Sequence, residues 1–225
     1  MTKLEVLTRI GETGVVPVVR ASSPEEGLAV VEAIKAGGVP ILEITMTVPK
    51  AVVLIEQLTD RYGDEVVVGA GTVLDAETAR TCILAGARFV VSPATNDKLI
   101  ELCRRYSVAV FPGALTPTEV VAAWQMGADA VKVFPCGAVG GAKYLRALKA
   151  PLPQIDMIPT GGVSLATAGE FIAAGAFALG VGADLVDTRA IRAGEPERVT
   201  ESARAYTSAI REARGIASHP GHTRA

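Results

Sequence analysis

Apolar, β-branched runs recur along the whole chain, beginning near Val15, Ile41, Val66, Phe89, Val108, Val131, Ile155 and Phe177. Repeats about 23 residues long leave room for a short strand, a helix of three turns and two loops. The runs read as continuous apolar blocks, such as Val66-Val-Val and Phe89-Val-Val. That is the pattern of parallel strands covered on both faces, not of a sheet with one face in water. The spacing predicts an α/β fold, a (β/α)8 TIM barrel.

The residues between the runs agree with this reading. Ser23-Pro-Glu-Glu26 and Thr116-Pro-Thr-Glu119 each place a capping side chain, a proline and a glutamate where a helix starts. Ala36-Gly-Gly38, Ala85-Gly-Ala87, Met126-Gly-Ala128 and Ala174-Gly-Ala176 place a glycine where a helix ends, before every second strand. The first dozen residues are expected to form a short helix over the barrel bottom, and Glu197 to Ala213 a closing amphipathic helix. No linker interrupts the series, so residues 1–217 are expected to form one domain, with 218–225 as a flexible tail.

Composition narrows the partners. Lysine and arginine number 22 against 24 acidic residues, so no polybasic surface points to nucleic acid or anionic lipid. The longest uncharged stretches, such as Phe171 to Ala183, fall short of the roughly 18–20 residues that cross a bilayer. The N-terminus carries no signal-peptide pattern, and Cys82, Cys103 and Cys136 cannot make a disulfide framework, so a cytoplasmic location is expected. Both histidines, His219 and His222, fall in the tail, which argues against a Ser-His-Asp hydrolase or a histidine-ligated metal enzyme.

In this architecture the chemistry lies at the carboxyl ends of the strands. Glu43 sits inside Ile41-Leu-Glu-Ile-Thr45, and Lys132 inside Ala130-Val-Lys-Val-Phe134. Alternation turns Leu42, Ile44, Val131 and Val133 to the helices and points Glu43 and Lys132 into the barrel. One reading is a buried structural ion pair. The other is chemical: burial disfavours a charged amine, and a neutral lysine can form an imine with a carbonyl while a nearby carboxylate moves protons. Arg20, at the end of the first run, suits bidentate capture of a carboxylate or a salt bridge at the rim. Gly69-Ala-Gly-Thr72 makes a tight turn, and Pro159-Thr-Gly-Gly162 and Gly180-Val-Gly-Ala183 follow strands seven and eight, where this fold most often holds phosphate. Cys136 lacks a basic partner in sequence and is expected to be inert.

From Val15 to Val186 these motifs resemble those of the 2-keto-3-deoxy-6-phosphogluconate and 4-hydroxy-2-oxoglutarate aldolases, class I Schiff-base enzymes on a (β/α)8 barrel. The resemblance rests on Val18-Val-Arg20-Ala, Leu42-Glu43-Ile-Thr, Val68-Gly-Ala-Gly-Thr72-Val, Val91-Ser-Pro93, Phe111-Pro-Gly113, Val131-Lys132-Val-Phe134-Pro135 and Ile158-Pro-Thr-Gly-Gly162-Val. It implies Lys132 as the imine-forming lysine and Glu43 as general acid/base. It further implies Arg20 and Thr72 on the pyruvate carboxylate, Pro93 and Phe134 shaping the pocket, and Gly161, Gly162, Gly182 and Ala183 around phosphate. A small keto-acid substrate, no metal or organic cofactor and a homotrimer are also implied. Two positions depart from the family pattern: Thr47 stands where some members carry arginine, leaving the carboxylate to Arg20, and Ala183 stands where many carry serine. Two other functions fit the bare pattern: an epimerase or isomerase without a covalent intermediate, and a non-catalytic binder of a phosphorylated metabolite.

Overall fold

The computed structural model of the chain describes residues 1–216; the expected tail 218–225, with both histidines, lies outside the described residues. Parallel strands alternate with helices along most of the chain. The strands are β1 (Val15–Val19), β2 (Ile41–Thr45), β3 (Val67–Gly71), β4 (Phe89–Val91), β5 (Ala109–Phe111), β6 (Gly113–Ala114), β7 (Val131–Val133), β8 (Met157–Pro159) and β9 (Leu179–Val181). The helices are α1 (Lys3–Thr13), α2 (Pro24–Ala36), α3 (Ala51–Tyr62), α4 (Ala76–Leu84), α5 (Asp97–Arg105), α6 (Pro117–Gln125), α7 (Gly141–Lys149), α8 (Leu165–Ala173), α9 (Thr188–Arg192) and α10 (Pro196–Ala213).

The strands lie in two curled parallel sheets, ordered β5-β4-β3-β2-β1-β9 and β6-β7-β8. Thr160 and Gly180 bridge the second sheet to the first beyond β8. On the other side, the Asp129 N–H donates to Val110 O at 3.1 Å and the Lys132 N–H to Pro112 O at 2.9 Å. The fifth predicted run appears as two pieces, β5 and β6. Between them stands Pro112, which has no N–H to give a ladder.

Alternation sorts the apolar residues into two layers. Leu42, Ile44, Val68, Val90, Val131 and Val133 pack against Ile34, Leu54, Leu99 and Phe171 of the helices. Val16, Ile41, Val67, Phe89, Phe111, Ala130 and Ile158 face one another on the inner side, and Val6 and Ile10 of α1 pack with them. Each fully buried Leu, Ile or Phe contributes about 1.5–3 kcal/mol. Gly69 keeps the inner layer free for Phe89, whose ring would lie 2.3 Å from a Cβ there.

The helix starts form as the sequence predicts. Ser23 Oγ accepts the Glu26 N–H at 3.2 Å, and Thr116 and Glu119 make a reciprocal capping box. At the helix ends Gly86, Gly127 and Gly175 adopt positive φ, but in the first motif Gly38 does so and Gly37 does not. The last two strands start two residues later than their apolar runs. Ile155 closes a turn onto Leu152 and gives its carbonyl to Lys149 Nζ, while the Phe177 carbonyl faces Arg214.

Candidate active site

Glu43 is the middle residue of β2, flanked in register by Val18 of β1 and Gly69 of β3. Lys132 is the middle residue of β7, between Gly113 of β6 and Ile158 of β8. Each is only 3–4 % exposed, and both line one small cavity with Val16, Val91, Phe111, Ile158, Thr160 and Gly180. The apolar inner layer lies directly beneath, since Ile41 and Ala130 precede them on the same strand faces.

The electrostatics do not describe a closed ion pair. Glu43 Oε1 is buried and has no hydrogen-bond partner. Burial pushes the Glu43 carboxyl above its ordinary value; the positive charges of Lys132 and Arg20 oppose that shift without reversing it. Lys132 Nζ lies 5.2 Å from the ring centroid of Phe134, within cation-π range.

Above this cavity a cleft of about 280 Å³ brings together Arg20, Phe134, Gly161, Gly162, Gly182 and Ala183, six of the residues singled out in the sequence. Thr160 and Gly180 line both spaces and so join them. Arg20 stands one residue past β1 and is exposed; its Nη1 lies 3.5 Å from where a Cβ on Gly182 would be. Gly161 and Gly162 both have φ of 80°, a conformation that side-chain-bearing residues rarely adopt.

The loops after β7 and β8 run side by side. The Cys136 N–H donates to Thr160 O at 2.9 Å and the Gly137 N–H to Gly161 O at 2.8 Å. Gly137 and Gly162 interlock, and a Cβ on Gly162 would stand 2.7 Å from the Gly137 Cα. Phe134 and the glycine turn are thereby held in one arrangement.

Thr72 and Pro93 close the neighbouring strands β3 and β4 at the same end but line neither space. Thr72 has a left-handed backbone, φ 59°, and the Pro93 carbonyl presses against Gly113. Cys136 is buried and its thiol is pushed up to about 11 by burial. Among the described residues, no group of three or more His, Cys, Asp or Glu could hold a metal ion.

Sequence reasoning assigned no role to Thr160 or Asp184. Thr160 stood inside a quoted motif, and a hydroxyl at the carboxyl end of a strand was the available signal. Asp184 is brought into the cleft wall by its bond to Leu165, which no local pattern announces.

The sequence profile of KDPG and KHG aldolase matches residues 6–202. The 2-dehydro-3-deoxy-6-phosphogalactonate aldolase of Escherichia coli K12 is 36% identical over 200 residues, covering 88% of this chain and 95% of its own. The KHG/KDPG aldolase of the same organism is 34% identical over 190 residues, 84% of this chain and 89% of its own. A crystal structure of KDPG aldolase from Legionella pneumophila, with pyruvate captured at low pH as a covalent carbinolamine intermediate, superposes with a TM-score of 0.83. It is 29% identical and covers 89% of this chain and 97% of its own. With its buried lysine and glutamate facing one cavity, the chain belongs to the KDPG and KHG aldolase family.

Proposed function

We propose that the chain is a class I aldolase that cleaves a 2-keto-3-deoxy-6-phospho sugar acid to pyruvate and glyceraldehyde 3-phosphate, with 4-hydroxy-2-oxoglutarate as a second substrate, giving pyruvate and glyoxylate. The observation that carries this reading is the meeting of the buried Lys132 and Glu43 in one small cavity beneath a cleft bearing Arg20.

In the proposed cycle the Lys132 amine adds to the keto carbon and the former carbonyl oxygen leaves as water with a proton from Glu43, giving a protonated imine. Glu43 takes the proton from the C4 hydroxyl, the C3–C4 bond breaks and the aldehyde departs, its electron pair passing into an enamine. A proton returned to C3 and hydrolysis of the imine release pyruvate and restore the amine. Burial raises the Glu43 carboxyl above its ordinary value, so its protonated form is easier to reach than that of an exposed glutamate. Arg20 holds the carboxylate of the keto acid and Phe134 bounds the pocket, with Thr72 and Pro93 at the neighbouring strand ends outside both linings; the backbone of Gly161, Gly162, Gly182 and Ala183 receives the phosphate end. The cycle needs no cofactor.

The two sheets close into one (β/α)8 barrel, with α1 over its bottom, as a single domain of residues 1–217. The bridges at Thr160 and Pro112 and the packing of Val6 and Ile10 support this. The chain acts in the cytoplasm as a homotrimer on a small-molecule substrate, without nucleic acid or membrane. Among the described residues no helix is long and apolar enough to cross a membrane.

Incubation with pyruvate and borohydride, followed by digestion and mass spectrometry, tests the chemistry. A reduced pyruvyl adduct on the Lys132 peptide is the expected result. Binding of the keto acid without an adduct overturns it.

A further inference from the structure

The cleft wall holds one charge that the proposed cycle leaves idle. Asp184 follows the Gly182-Ala183 turn and lines the cleft beside Arg20, Gly161 and Gly162. Its Oδ2 accepts the N–H of Leu165, the first residue of α8, at 2.9 Å and the hydroxyl of Tyr206 at 2.5 Å. Both partners are neutral. None of the ion pairs among the described residues includes Asp184. Its negative charge is thus met at the edge of the cleft by the α8 N-terminus and a hydroxyl, not by a cation.

This placement bears on the far end of the substrate. An anion entering the loops after β8 and β9 is best held by unoccupied N–H groups at a helix start. Here the first N–H of α8 is already given to a carboxylate. Ala183 adds no hydroxyl, and Arg20, the cation lining the cleft, is committed to the keto-acid carboxylate in the proposed cycle. A phosphate monoester, close to a dianion at neutral pH, would meet a like charge at this wall.

We infer that Asp184 is a specificity-determining residue set against a terminal phosphate. The chain then cleaves the unphosphorylated 2-keto-3-deoxy sugar acid with a kcat/KM within about tenfold of that for its 6-phosphate. The inference rests on the aldolase reading above.

The test measures kcat/KM for the phosphorylated and unphosphorylated acids in the wild type and Asp184→Asn. Inorganic phosphate is titrated into both proteins by calorimetry. Asparagine keeps an oxygen for Leu165 and Tyr206 while removing the charge. The expected result is about a tenfold rise in the phosphorylated-to-unphosphorylated ratio and a comparable tightening of phosphate, both shrinking as salt is raised. Ratio and phosphate affinity left unchanged overturn the inference and make Asp184 a helix cap alone. So does a wild-type preference for the phosphorylated acid well above about tenfold. Should Asp184→Asn fail to fold, Asp184→Ser serves the same comparison. If neither acid is cleaved and borohydride leaves no pyruvyl adduct on Lys132, the aldolase reading fails; the phosphate titration still decides the effect of Asp184.

Discussion

Gly71 lies directly against the carboxylate of Glu43: a Cβ at position 71 would stand 1.9 Å from Oε1 and 2.5 Å from Cδ. No left-handed backbone demands glycine here, since Gly71 is absent from the positive-φ positions. Space alone does. Gly71→Ala is therefore expected to displace the carboxylate and lower kcat by about 10²-fold, the low end for a lost general base. Pyruvate trapping on Lys132 should persist. Shortening the acid in the same protein, Glu43→Asp with Gly71→Ala, should recover part of the loss. Wild-type kcat in Gly71→Ala would show that the carboxylate has room to spare.

Lys132→Met should end turnover and abolish the pyruvyl adduct. It replaces a buried amine by an apolar chain of similar length, so its denaturation midpoint should equal or exceed that of the wild type. Retained cleavage in a well-folded Lys132→Met would remove the covalent mechanism.

Glu43 also links stability to pH. Its carboxyl is raised above 4.5 in the folded protein, so folding favours the protonated form. That contribution is fully present below the unfolded value and is lost as pH rises through the folded value. Glu43→Gln, which cannot ionise, should be more stable than the wild type at pH 8, with the advantage shrinking toward pH 4.5; urea unfolding at both pH values reads it. The same variant should turn over about 10²–10⁴-fold more slowly.

Arg20→Lys keeps the charge but not the two-pronged donor geometry. It should raise KM for the keto acid by about tenfold and leave kcat within about threefold, because the carboxylate is bound in the ground and transition states alike. A kcat loss without a KM change would place Arg20 in the chemical steps instead.

Much of the inner face was legible because alternation in two strands leaves little choice: with Leu42, Ile44, Val131 and Val133 facing the helices, Glu43 and Lys132 had to face inward. The ordinal position of the glycine turns likewise placed Gly161, Gly162, Gly182 and Ala183 around one cleft. Other features depend on pairings no local pattern encodes. The break at Pro112 is visible only once its neighbours β4 and β7 are known. Asp184 meets Leu165 through a bond spanning 19 residues, and Thr160 gains its place by lining two spaces at once. Thr72 and Pro93 were placed by motif, and their backbone surroundings give them no share of either lining.

The paired backbone of the loops after β7 and β8 makes the aromatic rim and the glycine rim a single mechanical piece. Whatever grips one end of a bound molecule also sets the tilt of the ring over the amine. A residue inserted into either loop should disturb both ends of the substrate together, and neither rim can be re-engineered alone.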